Sequence, residues 1–379
     1  MSRDQVASIR DEIRVVSGWI AVLRLFDIAY AIDLKRVESL WVEHTNAATT
    51  RARLSATPAK AMTFPDPPVV LSLPSIAIDL GHGPVDCSVT ASFYDFGAVS
   101  FGIRVPIRDL SWRELVELNR AVDRAIGPSI EAPVWGELLA QVMRVVEKAL
   151  TKPSSRSLYE DYVLILVQDL SERLTGDALL DRVDLVPLLS GEERPLSESA
   201  RAELLRHRFS YYLDDLAVLT WDRAFIYEPR GDSDVTDVLE VANAQLLELR
   251  YYDELLDAEL PQVYDQVEGA RRVAALFAAR HFAHLARRLY TLVAEVTELT
   301  EKVDNALQVT EDVYLARVYA DALNLFRVPS VAAAVDRKLA IIRDTYAALY
   351  AEASSRRAEL LEFAIVILIL IEIGLALRP

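Results

Sequence analysis

The last third of the chain has apolar residues at alternating spacings of four and three. This heptad pattern predicts helices that bury one stripe against a partner. Residues 331–373 contain neither Pro nor Gly, so a single helix is expected across this range. The heptad seam consists of Val335, Leu339, Ile342, Tyr346, Leu349, Ala353, Arg356, Leu360, Phe363, Ile367, Leu370, Gly374 and Leu377.

A second long helix is predicted from Pro261 to about Leu307, and a shorter one lies between the two, at about residues 311–326. The second helix has its own seam at Leu285, Leu289, Leu292, Val296, Leu299, Val303 and Ala306. The simplest packing is an antiparallel helical hairpin in which each seam covers the other. Pairing between chains, which would give an oligomer, is the alternative.

The first half of the chain alternates strand patterns with helix patterns. Apolar runs rich in branched and aromatic residues predict strands, helical periodicity predicts the segments between them, and Asp33 suits an N-cap. The strands are expected at 19–27, 75–80, 85–106 and 162–167, the helices at 32–41, 115–125 and 135–150, and a hairpin at 209–219 with 223–228. This order indicates an α+β fold, with a ferredoxin-like head at 1–230 and a helical stalk at 231–359.

The C-terminal segment, residues 360–377, reads LLEFAIVILILIEIGLAL. Eighteen helical residues span about 27 Å, close to the hydrocarbon thickness of a bilayer. Arg356 and Arg357 precede it, as the positive-inside rule favours. The N-terminus has no clean apolar run of the signal-peptide kind. These features predict a tail-anchored membrane protein with a transmembrane helix at 360–378, a bilayer as partner and the head in the cytoplasm.

A buried helix in an oligomer is the alternative for this segment, because an ionised Glu372 deep in lipid is costly. In a membrane, Glu372 is a candidate helix–helix contact and Gly374 would allow close approach, with snorkelling of Glu372 toward the far interface as the alternative. The candidate membrane or oligomer contacts are Glu362, Phe363, Ile367, Leu370, Glu372 and Gly374.

Charge and composition narrow the function classes. The net charge of −16 disfavours nucleic acid as the main partner, and one cysteine, Cys87, allows no internal disulfide. A basic stripe on the second long helix is a candidate surface for an acidic partner or RNA, although a solvated helix face is the simpler interpretation. The stripe consists of Arg271, Arg272, Arg280, Arg287 and Arg288.

Motifs for catalysis or metal binding do not stand out. His281 and His284 share a helix face, but no HExxH or CxxC pattern accompanies them. No cofactor, metal or catalytic residue is therefore predicted. The expected function is a non-catalytic scaffold or tether that forms homo-oligomers through stalk and tail. The alternatives are a membrane-anchored enzyme whose site comes from scattered residues, and a factor that tethers ribosomes or RNA.

Several segments resemble the domain-of-unknown-function 155 family. The strongest is residues 357–373, an isoleucine-rich run between two glutamates; the weaker ones are 26–34, 93–101, 160–165 and 243–249. The resemblance implies an inner-membrane protein with an α/β head and a helical tail. The mitochondrial member of that family supports translation and assembles into large complexes, whereas this chain lacks a targeting presequence, which fits a bacterial member in the plasma membrane. It implies no catalytic residue.

Overall fold

The structure is a computed structural model that describes residues 13–45, 49–51, 62–63, 66–81, 83–128, 130–154, 158–192, 194–231, 234–271, 275–304, 308–309 and 313–376. Strands and helices alternate up to residue 231, and long helices follow. The strands are β1 Arg14–Asp27, β2 Ala29–Ile32, β3 Thr49–Arg51, β4 Met62–Thr63, β5 Val69–Asp79, β6 Pro84–Phe93, β7 Ala98–Ser111, β8 Leu150–Pro153, β9 Tyr159–Leu170, β10 His207–Phe209, β11 Leu216–Leu219, β12 Arg223–Tyr227 and β13 Gln308–Val309.

The helices lengthen toward the C-terminus. They are α1 Leu34–Thr45, α2 Trp112–Ile126, α3 Pro133–Val146, α4 Gly176–Arg182, α5 Val186–Ser190, α6 Glu198–Leu204, α7 Asp234–Arg271, α8 Ala275–Asp304, α9 Val313–Leu325 and α10 Val328–Ala376. The backbone N–H of Arg36 donates to the Asp33 carboxylate at 3.0 Å, which confirms Asp33 as the N-cap of α1.

The chain divides into two compact units. The first, the head unit, holds residues 1–248 and 303–328, and the second, the helical unit, holds 249–302 and 329–379. The first boundary lies inside α7, after Glu248. The head unit thus takes its last helix, α9, from the part of the chain between the two segments of the helical unit.

A nine-stranded mixed sheet forms the centre of the head unit in the described residues. Its order is β10-β11-β12-β9-β1-β7-β6-β5-β3, and only β9 and β12 pair in parallel. Strand β1 is central, paired with β7 on one side and β9 on the other. Residues 20–27 of β1 are all buried, as expected for a strand covered on both faces.

Alternate residues of β1 face two separate layers of helices. Ile20 and Val22 belong to the core under α1 to α5, whereas Leu23 and Leu25 face the other side. On that second side the contacts come from α7 and α9: Gln245 accepts a hydrogen bond from the Tyr319 hydroxyl at 2.6 Å, and Phe326, just after α9, packs edge-on against Tyr162 of β9. The head unit is therefore a three-layer arrangement of helices, sheet and helices.

One buried ion pair lies on the first face. Arg24 Nε donates to Asp161 at 2.5 Å across the β1–β9 pair, and both side chains are almost fully buried. The guanidinium also lies over the rings of Trp135 and Tyr159, at 5.0 and 4.7 Å. These contacts satisfy a charge in the middle of an apolar strand.

The sequence-based fold is confirmed in its α+β class, but the predicted ferredoxin-like head is too small. The antiparallel strands in the order β9-β1-β7-β6 match the order of a ferredoxin-like sheet, and here they are part of a nine-stranded one. Pro261 was expected to open a helix and instead lies inside α7. A proline removes one backbone hydrogen bond, and the helix-forming residues on both sides continue past it.

The expected transmembrane helix at 360–378 is also wrong. In the part of the chain that the structure describes, no helix is long and apolar enough to cross a membrane. Glu362 and Glu372 limit the uninterrupted apolar run to Phe363–Ile371, about 13.5 Å of helix against a core of roughly 30 Å. The predicted tail anchor, and the membrane localisation deduced from it, are therefore not supported by the structure.

Two glycines test how closely the backbone packs in the head unit. Gly97 has φ +117°, and a Cβ there would lie 1.9 Å from the Ala29 carbonyl oxygen. Gly83 has φ +110°, but no atom of the described residues would lie within 4 Å of its Cβ. Both alanine variants are strained at positive φ, and only Gly97→Ala also forces the backbone apart.

We expect Gly97→Ala to lower the free energy of unfolding by at least about 2 kcal/mol more than Gly83→Ala does. Urea denaturation followed by tryptophan fluorescence measures both variants. Equal losses would show that the turn at Gly97 relaxes freely.

Candidate functional site

The six contact residues predicted near the C-terminus all lie on α10. Phe363, Ile367 and Leu370 are 65%, 40% and 63% exposed, and Glu362 and Glu372 are exposed as well. Gly374 lies near the end of the same helix. We call residues 363–375 the apolar belt. Its ten exposed large apolar side chains are Phe363, Ile365, Val366, Ile367, Leu368, Ile369, Leu370, Ile371, Ile373 and Leu375.

The heptad seam of α10 changes from buried to exposed along its length. Val335, Leu339, Ile342 and Leu349 are at most 4% exposed within the helical unit. The same seam continues without a break in periodicity into the apolar belt, where its side chains are exposed. The first part of the seam therefore has partners within the chain, and the apolar belt lacks them in the described residues.

Contacts between α8 and α10 explain this change. Tyr290 packs against Tyr346 with ring centroids 6.1 Å apart, and Arg343 donates to Thr297 at 3.3 Å, so the two helices are antiparallel. Extending this register along straight helices places the start of α8 opposite about residue 361–365 of α10. The apolar belt begins where α8 runs out.

Ion pairs fix the helices of the helical unit to one another. Lys338 of α10 lies 2.6 Å from carboxylate oxygens of both Asp253 and Asp257 of α7. Arg288 of α8 donates to Glu259 of α7 at 2.7 Å. The packing of α7, α8 and α10 is thus specified by charge as well as by the seams.

The predicted basic stripe is only partly visible. Arg287 and Arg288 are exposed on α8, and Arg288 is already paired with Glu259. Arg272 and the side chains of Arg271 and Arg280 lie outside the described residues. An open groove of about 470 Å³ runs beside Arg287 and Arg288, and its lining also includes Glu259 and Glu295. Charges of both signs do not make the positive surface that phosphate binding needs.

A group of partly buried acids lies on the second face of the head sheet. Asp237 and Glu240 stand one turn apart on α7, and the side chains of Ser92 and Tyr94 donate hydrogen bonds to Glu240. Burial raises the pKa of Glu240. Burial, reinforced by the charges of Glu240 and Asp234, raises the pKa of Asp237 to about 7, and Arg104 opposes this shift.

Sequence reasoning missed this acid group. Its signal was present: the two acids interrupt a helix face whose neighbours Val235, Val238 and Leu239 are all buried. No set of three His, Cys, Asp or Glu side chains among the described residues has the arrangement of a metal site. The acid group therefore offers a response to pH, without the ligand set of a metal.

A second missed feature is the loop after β10. Tyr211, Tyr212 and Leu213 are 56%, 42% and 84% exposed, yet their backbone is firmly held. The buried carboxylate of Asp215 accepts the N–H groups of Tyr211 and Tyr212 at 2.8 and 3.0 Å. Arg230 stacks on Tyr212 at 3.7 Å. Ordered, exposed aromatic and arginine side chains are typical of binding hot spots.

The fold and these surfaces define a class: an α+β head followed by a helical unit that ends in an exposed apolar helix. Comparison with known sequences then gives the family. A profile described as "Uncharacterized protein MJ0711, N-terminal domain" matches residues 17–234, more than half of the chain. The chain belongs to this family.

One relative covers a similar part of the chain. It is the "Uncharacterized protein MJ0711" of Methanocaldococcus jannaschii, 27% identical over 231 residues, which make up 60% of this chain and 69% of the relative. No solved structure matches. The resemblance to the domain-of-unknown-function 155 family is not confirmed by these comparisons.

Asp237 gives the head unit a pH-dependent stability. Its pKa rises from an ordinary 3.8 to about 7 in the folded chain, so the folded state holds a proton that the unfolded state releases. The free energy of unfolding should fall between about pH 4 and pH 7, by at most roughly 1.4 kcal/mol per pH unit, and level off above.

We expect Asp237→Asn to remove this fall, so that its gain over the unchanged protein grows from pH 4 to pH 7. Urea denaturation at several pH values measures the difference, with Asp177→Asn, at an exposed first-turn position of α4, as control. A constant difference at all pH values would contradict the assignment.

Asp215 is expected to hold the aromatic loop in place. Asp215→Ala should lower the free energy of unfolding by about 1–3 kcal/mol, because two partly buried hydrogen bonds to a buried carboxylate are lost. It should also speed deuterium exchange of the amides of Tyr211 and Tyr212. Asp214→Ala is the matched control, since the neighbouring Asp214 makes neither bond. Unchanged exchange in Asp215→Ala would show that the loop is held elsewhere.

Proposed function

We propose that this protein is a self-associating scaffold whose copies meet through the apolar belt of α10 and display the family domain. The observation that carries the proposal is the change along one continuous seam, buried up to Leu349 and exposed from Phe363. The occupant of the exposed part is another copy of the same chain.

Continuity of the seam favours a second copy over an unrelated partner. A helix that already packs by heptad contacts presents the same spacing of knobs and holes beyond its intrachain partner. A second α10 has this spacing by identity, so each copy covers the other with the same positions. Symmetric association of this kind needs no further component.

The width of the apolar belt indicates more than two copies. A two-helix seam covers only one stripe, yet Ile365 and Leu368, off the seam, are 54% and 63% exposed. Exposed apolar patches beyond a few hundred Å² are rare on monomers, and a helix that is apolar all round is normally buried all round. A bundle of several belts satisfies both conditions.

The head unit supplies the displayed surface of the scaffold. Its aromatic loop at Tyr211–Leu213 is ordered and exposed, so several copies would present several such loops at once. Multivalent display raises the avidity of a partner without any new contact. The resemblance to the domain-of-unknown-function 155 family supports the same kind of function, since that family is associated with large complexes.

A pair of isoleucines on α10 tests the proposal. Ile367 lies on the seam inside the apolar belt, and Ile341 lies off the seam outside it; the two are 40% and 41% exposed. We expect Ile367→Glu to dissociate the assembly, because a charge would be buried between helices, and Ile341→Glu to leave it intact. Sedimentation velocity of the full chain at several concentrations reads the mass.

Two further experiments distinguish the possible outcomes. Ile371→Glu, in the belt and next to the seam position Leu370, should also weaken association if more than two helices meet. Flotation with phosphatidylcholine vesicles is the other arm. A protein that is monomeric in buffer at all concentrations, or equal behaviour of the Ile367 and Ile341 variants, would overturn the proposal; a monomer carried upward by vesicles would replace it with a lipid surface.

A further inference from the structure

The start of α8 limits where a second copy can reach the seam of α10. Helix α8 lies antiparallel to α10 and begins at Ala275, opposite about residue 361–365. Below that level the seam packs within the chain, as the buried side chains of Ile342 and Leu349 show. Above it α10 continues to Ala376, a projection of about 20 Å. This projecting part carries the apolar belt.

A parallel second copy conflicts with α8. Two parallel α10 helices in contact along the apolar belt would have axes about 8–10 Å apart. Toward the N-terminus their seams would go on facing each other, although each seam is already covered by the α8 of its own chain. The two α10 helices would have to bend apart to admit both α8 helices. Residues 331–373 contain neither Pro nor Gly, which are common sites of a sharp bend.

An antiparallel second copy continues the line of α8. Its α10 runs in the same direction as α8 and covers the same stripe of the first α10, starting at the level where α8 begins. By symmetry, the first α10 continues the line of the partner's α8. The C-terminal end of each α10 thus faces the N-terminal end of the other chain's α8, where the opposite ends of two helix dipoles attract each other.

The spacing of the seam suits an antiparallel partner position by position. Phe363, Ile367, Leu370 and Gly374 are separated by four, three and four residues, the same in both directions. An antiparallel partner therefore places its Gly374 opposite Phe363, and its Leu370 lies opposite Ile367. The largest side chain faces the glycine, so the layers have similar volumes. In a parallel pair Phe363 and Gly374 would each face their own copies, which leaves one layer crowded and another empty.

We propose that the apolar belts of two copies pack antiparallel, each in line with the α8 of the other copy. This inference rests on the proposed function and names the orientation of its interface. Each seam is then covered along its whole length, by its own α8 up to about residue 361 and by the partner's belt beyond. Two such pairs packed side by side also cover apolar side chains beside the seam, such as Leu368, which agrees with an assembly of more than two copies.

Cysteine cross-linking of the full chain distinguishes the two orientations. In the antiparallel pair Phe363 lies opposite the partner's Gly374, whereas the two copies of Phe363 are about 16 Å apart along the axis. A disulfide needs Cα atoms within about 7 Å of each other. On mild oxidation the double variant Phe363→Cys/Gly374→Cys should therefore form a covalent dimer on a non-reducing gel, and each single variant should not. The unchanged protein, whose one thiol, Cys87, is buried, is the control.

A second cysteine pair keeps the test valid if the first pair weakens assembly. Ala364 and the partner's Ile371 lie beside the seam at nearly the same level, and Ala364→Cys changes the side-chain volume little. Sedimentation velocity of each variant shows whether it still assembles. We expect a covalent dimer from Ala364→Cys/Ile371→Cys and none from either single variant.

The results separate the orientation of the copies from the scaffold function. Assembly with covalent dimers in the single variants would show parallel belts and would overturn the inference alone. Assembly without covalent dimers in either double variant would overturn the inference as well and would leave the scaffold standing. An unchanged protein that stays monomeric at all concentrations would overturn both.

Discussion

The head sheet has two apolar faces, and the fold depends on covering both of them. Strand β1 is buried along residues 20–27, with Ile20 and Val22 on one side and Leu23 and Leu25 on the other. The first face is covered by helices that alternate with the strands. The second is covered by residues 234–248 of α7 and by α9, which the chain supplies only after the sheet is complete. The family match ends at residue 234, where this second cover begins.

Charged side chains are arranged differently on the two faces of the sheet. On the first, Arg24 and Asp161 form a paired contact enclosed by Trp135 and Tyr159, so each charge has a partner. On the second, Asp237 and Glu240 of α7 have pKa values raised by burial, and the charge of Arg104 only opposes this rise. A paired charge fixes a structure at all ordinary pH values, whereas an acid excess makes the contact depend on pH.

Local patterns were sufficient for most of the secondary structure. The apolar run of β1, the buried run of β9 and the cap at Asp33 were all predictable, because each depends on residues close in sequence. The nine-strand extent of the sheet was not, since strand pairing joins distant residues: β1 pairs with β7 and with β9 across more than 70 residues. Counting the terminal apolar segment through its glutamates gave a membrane span that the structure does not support.

The candidate sites were also predictable only where they depend on residues close in sequence. The exposed seam on α10 was predictable from spacing alone, although its burial up to Leu349 required the α8 partner. The acids of α7 went unnoticed because their meaning depends on Ser92 and Tyr94, more than 140 residues away. The aromatic loop was interpreted as strand, since Tyr and Leu suit both; the Asp215 hydrogen bonds decide for a loop.

The interleaving of the two units has a consequence for biosynthesis. A ribosome delivers the whole nine-stranded sheet by residue 227, but the segment 303–328 that completes the head emerges about 80–100 residues later. During that interval the second face of the sheet is not fully covered, and its exposed apolar side chains are a target for chaperones. The apolar belt emerges after the segment 303–328, so neighbouring nascent chains cannot join through it before each head has the residues needed to close. Because the segments are synthesised in this order, the head can fold before the apolar belt is available for assembly.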